Sequence, residues 1–271
     1  MFSKKKSIVD DITLIVSSQR SGSTLLCRDI ESMSGMGSPE EYFTYFFQER
    51  SKINKIFKRY NENDVIKRIG KGCIASEPNI GAVKLMVDQA PRVDSLIRED
   101  IPLSRESSIE NIVNWSFSKF RRVNLIFITR NVIDQSISRA MTKHTNIWHY
   151  ELDSSKHKNQ RWVDNRPDFN LDLSEETLSL MILSELQNVI LESNIIRRVF
   201  KKYSNNSILI DYESLSYQPK DCWRKITSHA KKLGFKPKKE TAERSLQKLI
   251  SIETNLIIKE KLKSYILKNF D

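Results

Sequence analysis

Apolar runs divide the chain into repeated strand-then-helix units. In Ile12 to Ser18 the apolar residues run together instead of alternating, the pattern of a strand buried on both faces. Gly81 to Val87, Val123 to Thr129 and Ser207 to Asp211 are the other candidate strands, and the third strand, Val123 to Thr129, is the most apolar. Between them lie stretches with helical spacing. The first covers Ser23 to Ser34 and stops at Gly35 and Gly37, as helices do before glycine. Ser107 to Phe120 and Asn131 to about Lys143 are the next two. Ser174, followed by Glu176 and Thr177, opens a long helix to Tyr203, with Leu178, Met181, Ile182, Leu186, Val189 and Ile190 on its apolar side. Helical patterns continue from about residue 219 to the end. Strands alternating with helices predict an α/β fold, an open and mostly parallel sheet with helices on both faces, in one domain spanning residues 1–271. In such sheets ligands lie beyond the carboxyl ends of the strands, where Arg20, Arg130 and Tyr212 fall. Lys52 to Lys71 is charged and helical in pattern, and reads as an insertion or lid. Ser154 to Asp172 is polar and reads as a loop or substrate-facing excursion. No repeat and no low-complexity segment is present.

The first strand leads into the stretch LIVSSQRSGSTLL, Leu14 to Leu26. A strand that ends in a glycine-and-serine turn and feeds a helix start makes a site for a phosphate or sulfate. Gly22 lets the backbone approach an anion or take a positive φ. Ser21, Ser23 and Thr24 add hydroxyls to the free N–H groups of the helix start, a row that runs to Leu25. Arg20 adds a planar, permanent cation. The nucleoside-triphosphatase loop, G-x-x-x-x-G-K-[ST], is not matched: no Lys follows Gly22 and no glycine precedes it at that spacing. A Mg²⁺-dependent kinase nevertheless stays open as a rival reading of the same loop.

Composition narrows the picture. The chain is 39% hydrophobic and 29% charged, a globular balance, and no apolar run approaches the ~18 residues a membrane helix needs. No apolar segment of signal-peptide length follows the basic N-terminus, so the expected location is the cytoplasm, with no membrane span. Cys27, Cys73 and Cys222 have no metal-binding or disulfide spacing and read as reduced thiols, Cys27 as a small buried hydrophobe. The net charge of +11 is uneven: from Arg197 onward there are 18 Lys and Arg against 8 Asp and Glu. A non-catalytic nucleic-acid or anionic-surface binder is therefore the rival from another class. The basic residues alternate with apolar ones at helical spacing (Leu246, Leu249, Ile250, Ile257, Ile258, Leu262, Ile266), which favours solvated helix faces with one or two cations turned to a ligand.

The segment Arg20-Ser-Gly-Ser-Thr-Leu-Leu, followed by Gly37-Ser-Pro-Glu-Glu-Tyr-Phe, resembles the sulfotransferases, most closely the trehalose 2-sulfotransferase-like family. The resemblance implies a P-loop-like sulfotransferase fold and 3′-phosphoadenosine 5′-phosphosulfate (PAPS) as sulfuryl donor, with no metal. Its 5′-phosphosulfate would be held by Arg20, Ser21, Gly22, Ser23, Thr24 and Leu25. An acidic residue before a pair of aromatics serves that family as catalytic base, and it falls on Glu41. A carboxylate flanked by aromatic surface is partly desolvated, which suits a general base. Where the family carries a second acidic residue on the sugar side, this chain has Ser38, so the match supports the reaction more than it supports trehalose. Gly81-Ala-Val-Lys-Leu-Met also resembles the family, with Lys84 a candidate substrate contact and an exposed edge-strand lysine the alternative. In sulfotransferases an Arg at a strand end and a Ser eight residues on clamp the 3′-phosphate; here these are Arg130 and Ser138. Seven helical steps rise only ~10 Å, within reach of a long arginine. A Thr-x-x-Trp-His phrase places Trp148 at a base or sugar and leaves His144 and His149 as alternative bases. Tyr212-Glu-Ser-Leu with Pro219 and Trp223 resembles the phrase whose Tyr approaches adenine, and Lys248 sits where a late basic segment closes over the 3′-phosphate. The acceptor implied is a hydroxyl on a glycan or small molecule. The resemblance calls for no nucleic-acid partner and leaves a homodimer open.

Overall fold

All seven residues of β1 (Asp11–Ser17) are buried, as an unalternated apolar run requires of a strand covered on both faces. A computed structural model describes residues 9–48, 60–101, 104–147, 149–151, 162–163, 173–244, 246–247 and 250–270. After β1 come α1 (Ser23–Met33), a 3-10 turn at Tyr42–Thr44, α2 (Tyr45–Gln48), α3 (Glu62–Ile69), β2 (Ile80–Met86), α4 (Ala90–Arg98), α5 (Arg105–Lys119) and β3 (Arg122–Thr129). The chain continues through α6 (Val132–Thr145), β4 (His149–Glu151), β5 (Trp162–Val163), α7 (Glu175–Lys202), β6 (Ser207–Asp211), α8 (Tyr212–Tyr217), α9 (Pro219–Lys232), β7 (Leu246–Gln247) and α10 (Ile252–Phe270). It divides into two compact units, Met1–Thr129 with Asn194–Glu243, and Arg130–Ser193 with Arg244–Asp271.

The first unit holds a four-stranded sheet in the order β2-β1-β3-β6, with every neighbouring pair parallel. The alternation of the strands assigns their two faces. Leu14, Val16, Val83, Leu85, Leu125 and Phe127 meet α4, α5 and the last turns of α7 on one side. Ile15, Ile126, Ile128 and Ile210 meet α1, α8 and α9 on the other, through Leu26, Ile30, Leu215, Trp223 and Ile226. Helices thus cover both faces, as the sequence predicts. The second strand lies on one side of β1 and the third on the other, so the strand order reverses between β1 and β3. That reversal marks where a ligand crevice forms in an open parallel sheet.

At the amino end of β1, buried Asp11 accepts from Arg121 and Arg122. Burial pushes its carboxyl up, but the hydrogen bonds and charges of the two arginines together hold it below the usual carboxylate range. Helix α1 ends as Ser34 and Gly35 turn left-handed, with φ 55° and 79°. A Cβ on Gly35 would stand 2.1 Å from the Lys236 carbonyl oxygen, so that stop admits only glycine.

In the second unit α6, the first part of α7 and α10 bury Ile137, Ala140, Met141, Leu178, Ile182, Ile258 and Leu262. The Ser174 hydroxyl accepts from Thr177 N (3.1 Å) at the start of α7, the cap expected from the sequence. Arg139 and Glu192 form an ion pair with both side chains buried. A small sheet in the order β5-β4-β7 belongs to this unit, with β4 parallel to β5 and antiparallel to β7.

Helix α4 and the small sheet are additions to the sequence-based reading. Pro91 sits in the first turn of α4, where its missing N–H costs nothing, and Ala90, Val93 and Leu96 face the core. Strands of two or three residues are too short to show a period, which is why Ser154 to Asp172 reads as loop although it contains β5. Within Lys52 to Lys71 the described helix is α3, capped by Asn61, and 49–59 lie outside the described residues. In the basic third many cations are paired locally. Lys231 meets Glu240 (2.6 Å), Lys239 meets Glu243 (2.9 Å), Lys238 meets Glu77 (3.1 Å) and Lys259 meets Asp134 (2.6 Å). Among the described residues no helix is long and apolar enough to cross a membrane.

Candidate active site

The turn after β1 is built for an anion. Arg20 and Gly22 both take left-handed backbone, with φ 61° and 88°. Gly22 is the N-cap of α1, and no side chain caps the helix. The first helical bond runs from Leu26 N to Gly22 O (3.2 Å), so the N–H groups of Ser23, Thr24 and Leu25 precede the ladder, at the positive end of the helix dipole. The Ser21 hydroxyl is buried with no hydrogen-bond partner. An unmet buried hydroxyl is costly, and a ligand oxygen in the turn would satisfy it. The donor set fits a phosphate or sulfate.

Tyr212 forms a wall of this turn. A Cβ built on Gly22 would stand 2.0 Å from its Cδ2 and 2.7 Å from its Cε2, so the ring lies directly on the glycine. Glycine is therefore required twice, by its φ and by its neighbour. Gly22→Ala is expected to cost about 2 kcal/mol or more, from left-handed strain and overpacking together, and to weaken sulfate binding at least tenfold. Thermal denaturation and calorimetry with sulfate read the two effects.

Lys84 stands on the edge strand β2, yet its side chain is only 5% exposed. Val83 and Leu85 face the α4–α5 side, so alternation sends Lys84 to the α1 side, beside Ile15 of β1. Its ammonium donates to Glu41 Oε1 at 2.8 Å and to Thr24 Oγ1 at 3.3 Å. Its backbone N–H donates to the Glu40 carbonyl at 2.9 Å. Three sequence candidates, Thr24, Glu41 and Lys84, are thus brought together in one cluster, and the exposed-lysine alternative does not hold.

The surroundings of Glu41 differ from the aromatic pocket expected. Phe43 and Phe46 turn into the core, where burying each is worth about 2 kcal/mol. Glu41 is 39% exposed and meets a cation instead. The Tyr42 hydroxyl donates to the Ser38 carbonyl (3.0 Å). Burial, together with the charge of Glu40, pushes that phenol up to about 12. Ser38 donates to Glu31 Oε1 (2.9 Å), and Arg28 bridges Glu31 (2.9 Å) and Glu40 (3.7 Å). Arg28, Glu31 and Glu40 escaped the sequence reading as site residues; the Arg28–Glu31 spacing along α1 was the available signal. Cys27 is buried beneath this cluster, and burial pushes its thiol up to about 12.

In the second unit Arg130 follows β3 directly and Ser138 is buried in α6. The Asn131 side chain caps α6, accepting from Ile133 N (3.0 Å) and Asp134 N (3.2 Å). Its helix start is therefore occupied by its own cap, unlike that of α1. Burial pushes Asp134 up, but hydrogen bonds from Asn255 and Lys259 and the charges of Lys259 and Arg130 outweigh it and hold the carboxyl low. His144 is exposed in the last turn of α6 and His149 begins β4. Trp148 and Lys248 lie outside the described residues. Among the described residues no group of three or more His, Cys, Asp and Glu is placed to hold a metal ion.

A parallel sheet whose inner strand feeds an open, hydroxyl-rich helix start defines an α/β protein with a turn whose donors suit an anionic ligand. The Stf0 sulphotransferase family model matches residues 13–256. The chain belongs to that family, enzymes that transfer sulfuryl groups. No curated protein sequence matches it. Among solved structures it is similar to a sulfotransferase from Alicyclobacillus acidocaldarius, with 11% identity over 94% of this chain and 95% of that one and a TM-score of 0.47. It is similar also to sulfotransferase STF9 from Mycobacterium avium, with 10% identity over 97% and 69% of the two chains and a TM-score of 0.41. For mouse sulfotransferase SULT7A1 complexed with PAP the identity is 13% over 97% and 67%, with a TM-score of 0.35.

Proposed function

We propose that this sulfotransferase moves the sulfuryl group of PAPS to a hydroxyl of a carbohydrate or another small hydroxylated metabolite. The observation that carries the donor half is the turn after β1, with a left-handed Gly22, an uncapped helix start and a buried Ser21 hydroxyl that lacks a partner. Bound there, PAPS supplies an activated sulfuryl group on a phosphosulfate anhydride. The rest is the work of the chain's own side chains. The Glu41 carboxylate takes the proton of the acceptor hydroxyl, whose oxygen forms the new S–O bond as the bond to the phosphate oxygen breaks. Arg20 and the N–H groups of Ser23, Thr24 and Leu25 meet the negative charge that develops on the departing oxygen, the electrostatic contribution that usually dominates such transfers. Tyr212 is assigned to the adenine side of the loop. Arg130 and Ser138 are assigned to the 3′-phosphate: with the α6 helix start taken by Asn131, that duty falls to side chains, a bidentate guanidinium and a hydroxyl.

The acceptor half is supported by the open cluster beyond the turn. Glu40 and Glu41 are 51% and 39% exposed and neighbour Arg28 and Lys84, and paired carboxylates and cations suit a polyhydroxylated ligand. Ser38, where the resembled family is acidic, is tied to Glu31, so trehalose is not singled out.

Thermal shift tests the donor assignment. Adenosine 3′,5′-bisphosphate at about a hundred times its dissociation constant should stabilise the fold by ~2.7 kcal/mol, a rise of several degrees for a chain of this size, with Mg-ATP giving much less. Equal or greater stabilisation by Mg-ATP would favour phosphoryl transfer. Salt-sensitive nucleic-acid binding unaffected by Arg130→Ala would favour the non-catalytic reading.

A further inference from the structure

Lys84 is buried between two groups of the candidate site. An ammonium removed from water is expensive unless every donor is used, and this one is shared between two groups with separate duties. One N–H meets Glu41 Oε1 at 2.8 Å and another meets Thr24 Oγ1 at 3.3 Å. A threonine hydroxyl that accepts from an ammonium keeps its own proton to donate. That proton is free for an anion in the turn, since Thr24 stands in the first, uncapped turn of α1. The Lys84 backbone N–H also fixes the Glu40 carbonyl (2.9 Å), so the strand holds the main chain of the Glu40–Glu41 stretch while the side chain holds the carboxylate.

We propose that Lys84 is a positioning residue that couples the anion turn to Glu41, one buried cation orienting the Thr24 hydroxyl toward the donor and the Glu41 carboxylate toward the acceptor. The assignment rests on the reading of the turn as the donor site and of Glu41 as the base. Its consequence is a competition. An anion arriving at Thr24 draws on the same positive charge that pairs with Glu41, so donor occupancy loosens the carboxylate from the lysine and frees it for the acceptor. Conversely, removing the Glu41 charge leaves the positive charge of Lys84 without a competing carboxylate, although a glutamine amide can still accept its hydrogen bond.

A double-mutant cycle on ligand binding tests this without relying on turnover. Dissociation constants for adenosine 3′,5′-bisphosphate, and separately for inorganic sulfate, are measured by calorimetry in the wild type, Glu41→Gln, Lys84→Met and the double variant. Glu41→Gln should tighten anion binding about three- to tenfold, the range of coupling between residues in contact, and the gain should vanish when Lys84 is Met. Lys84→Arg should restore it. If Glu41→Gln has the same effect with and without Lys84, the interaction is a direct field between carboxylate and anion, and the coupling role is overturned; no effect in either background overturns it as well. Failure of the bisphosphate to bind while sulfate shows the coupling would reject PAPS as donor and keep the Lys84 assignment. Should Lys84→Met fail to fold, Thr24→Val deletes only the hydroxyl link, and an undiminished Glu41→Gln gain in that background overturns the proposal.

Discussion

Replacing Glu41 with glutamine is expected to lower turnover by about a hundredfold or more while the protein still binds adenosine 3′,5′-bisphosphate. General-base catalysis contributes roughly 10²–10⁴-fold, and an amide of the same shape accepts no proton at neutral pH. The amide oxygen still accepts from Lys84, so the cluster that holds Thr24 and Glu41 together keeps its geometry. The fold should therefore survive, and the loss should appear in kcat more than in the KM for the donor. Steady-state kinetics with sulfated product followed by mass spectrometry give the answer. Wild-type turnover in the variant would remove Glu41 as the base and turn attention to His144 and His149.

The second large effect is expected on stability. Arg139 and Glu192 are 5% and 8% exposed and pair with one another between α6 and α7. Deleting one partner of a buried pair takes its main counter-charge from the other in a low dielectric, at a cost of about 3–5 kcal/mol. Glu192→Ala should therefore lower the denaturation midpoint by about 10 °C. Replacing both residues with apolar ones, Arg139→Met with Glu192→Leu, should recover most of the loss, because no unpaired charge then remains. A cost below about 1 kcal/mol in the single variant would mean that other partners or water take over the Arg139 guanidinium.

The sheet was legible in the sequence because its strands announce themselves. Asp11–Ser17 and Arg122–Thr129 each carry an unalternated apolar run, Leu14-Ile-Val and Leu125-Ile-Phe-Ile, and Ser207–Asp211 has the expected bounds. The long α7 was equally plain from its serine cap and its apolar spacing. Helix α4 was hidden by Pro91, which looks like a breaker until it is placed in the first turn. The turn after β1 was legible as a glycine-and-hydroxyl helix start, but two of its features are tertiary. Nothing local says that the ring of Tyr212 rests on Gly22. That Lys84 is buried follows from strand alternation, and its partners follow only from how α1 and the Glu40–Glu41 stretch cross the sheet. The aromatics after Glu41 misled for a related reason: phenylalanines beside a carboxylate suggest an apolar pocket, but here they turn into the core and leave the carboxylate to a cation.

The contact between Gly22 and Tyr212 also has a meaning for biosynthesis. The turn leaves the ribosome early, whereas the ring that walls it stands just past the last strand of the large sheet. Until that strand docks, the nascent segment has its glycine and hydroxyls but lacks one side of its cradle. The turn after β1 thus gains its wall late, only when the last strand of the large sheet has docked and set Tyr212 against Gly22.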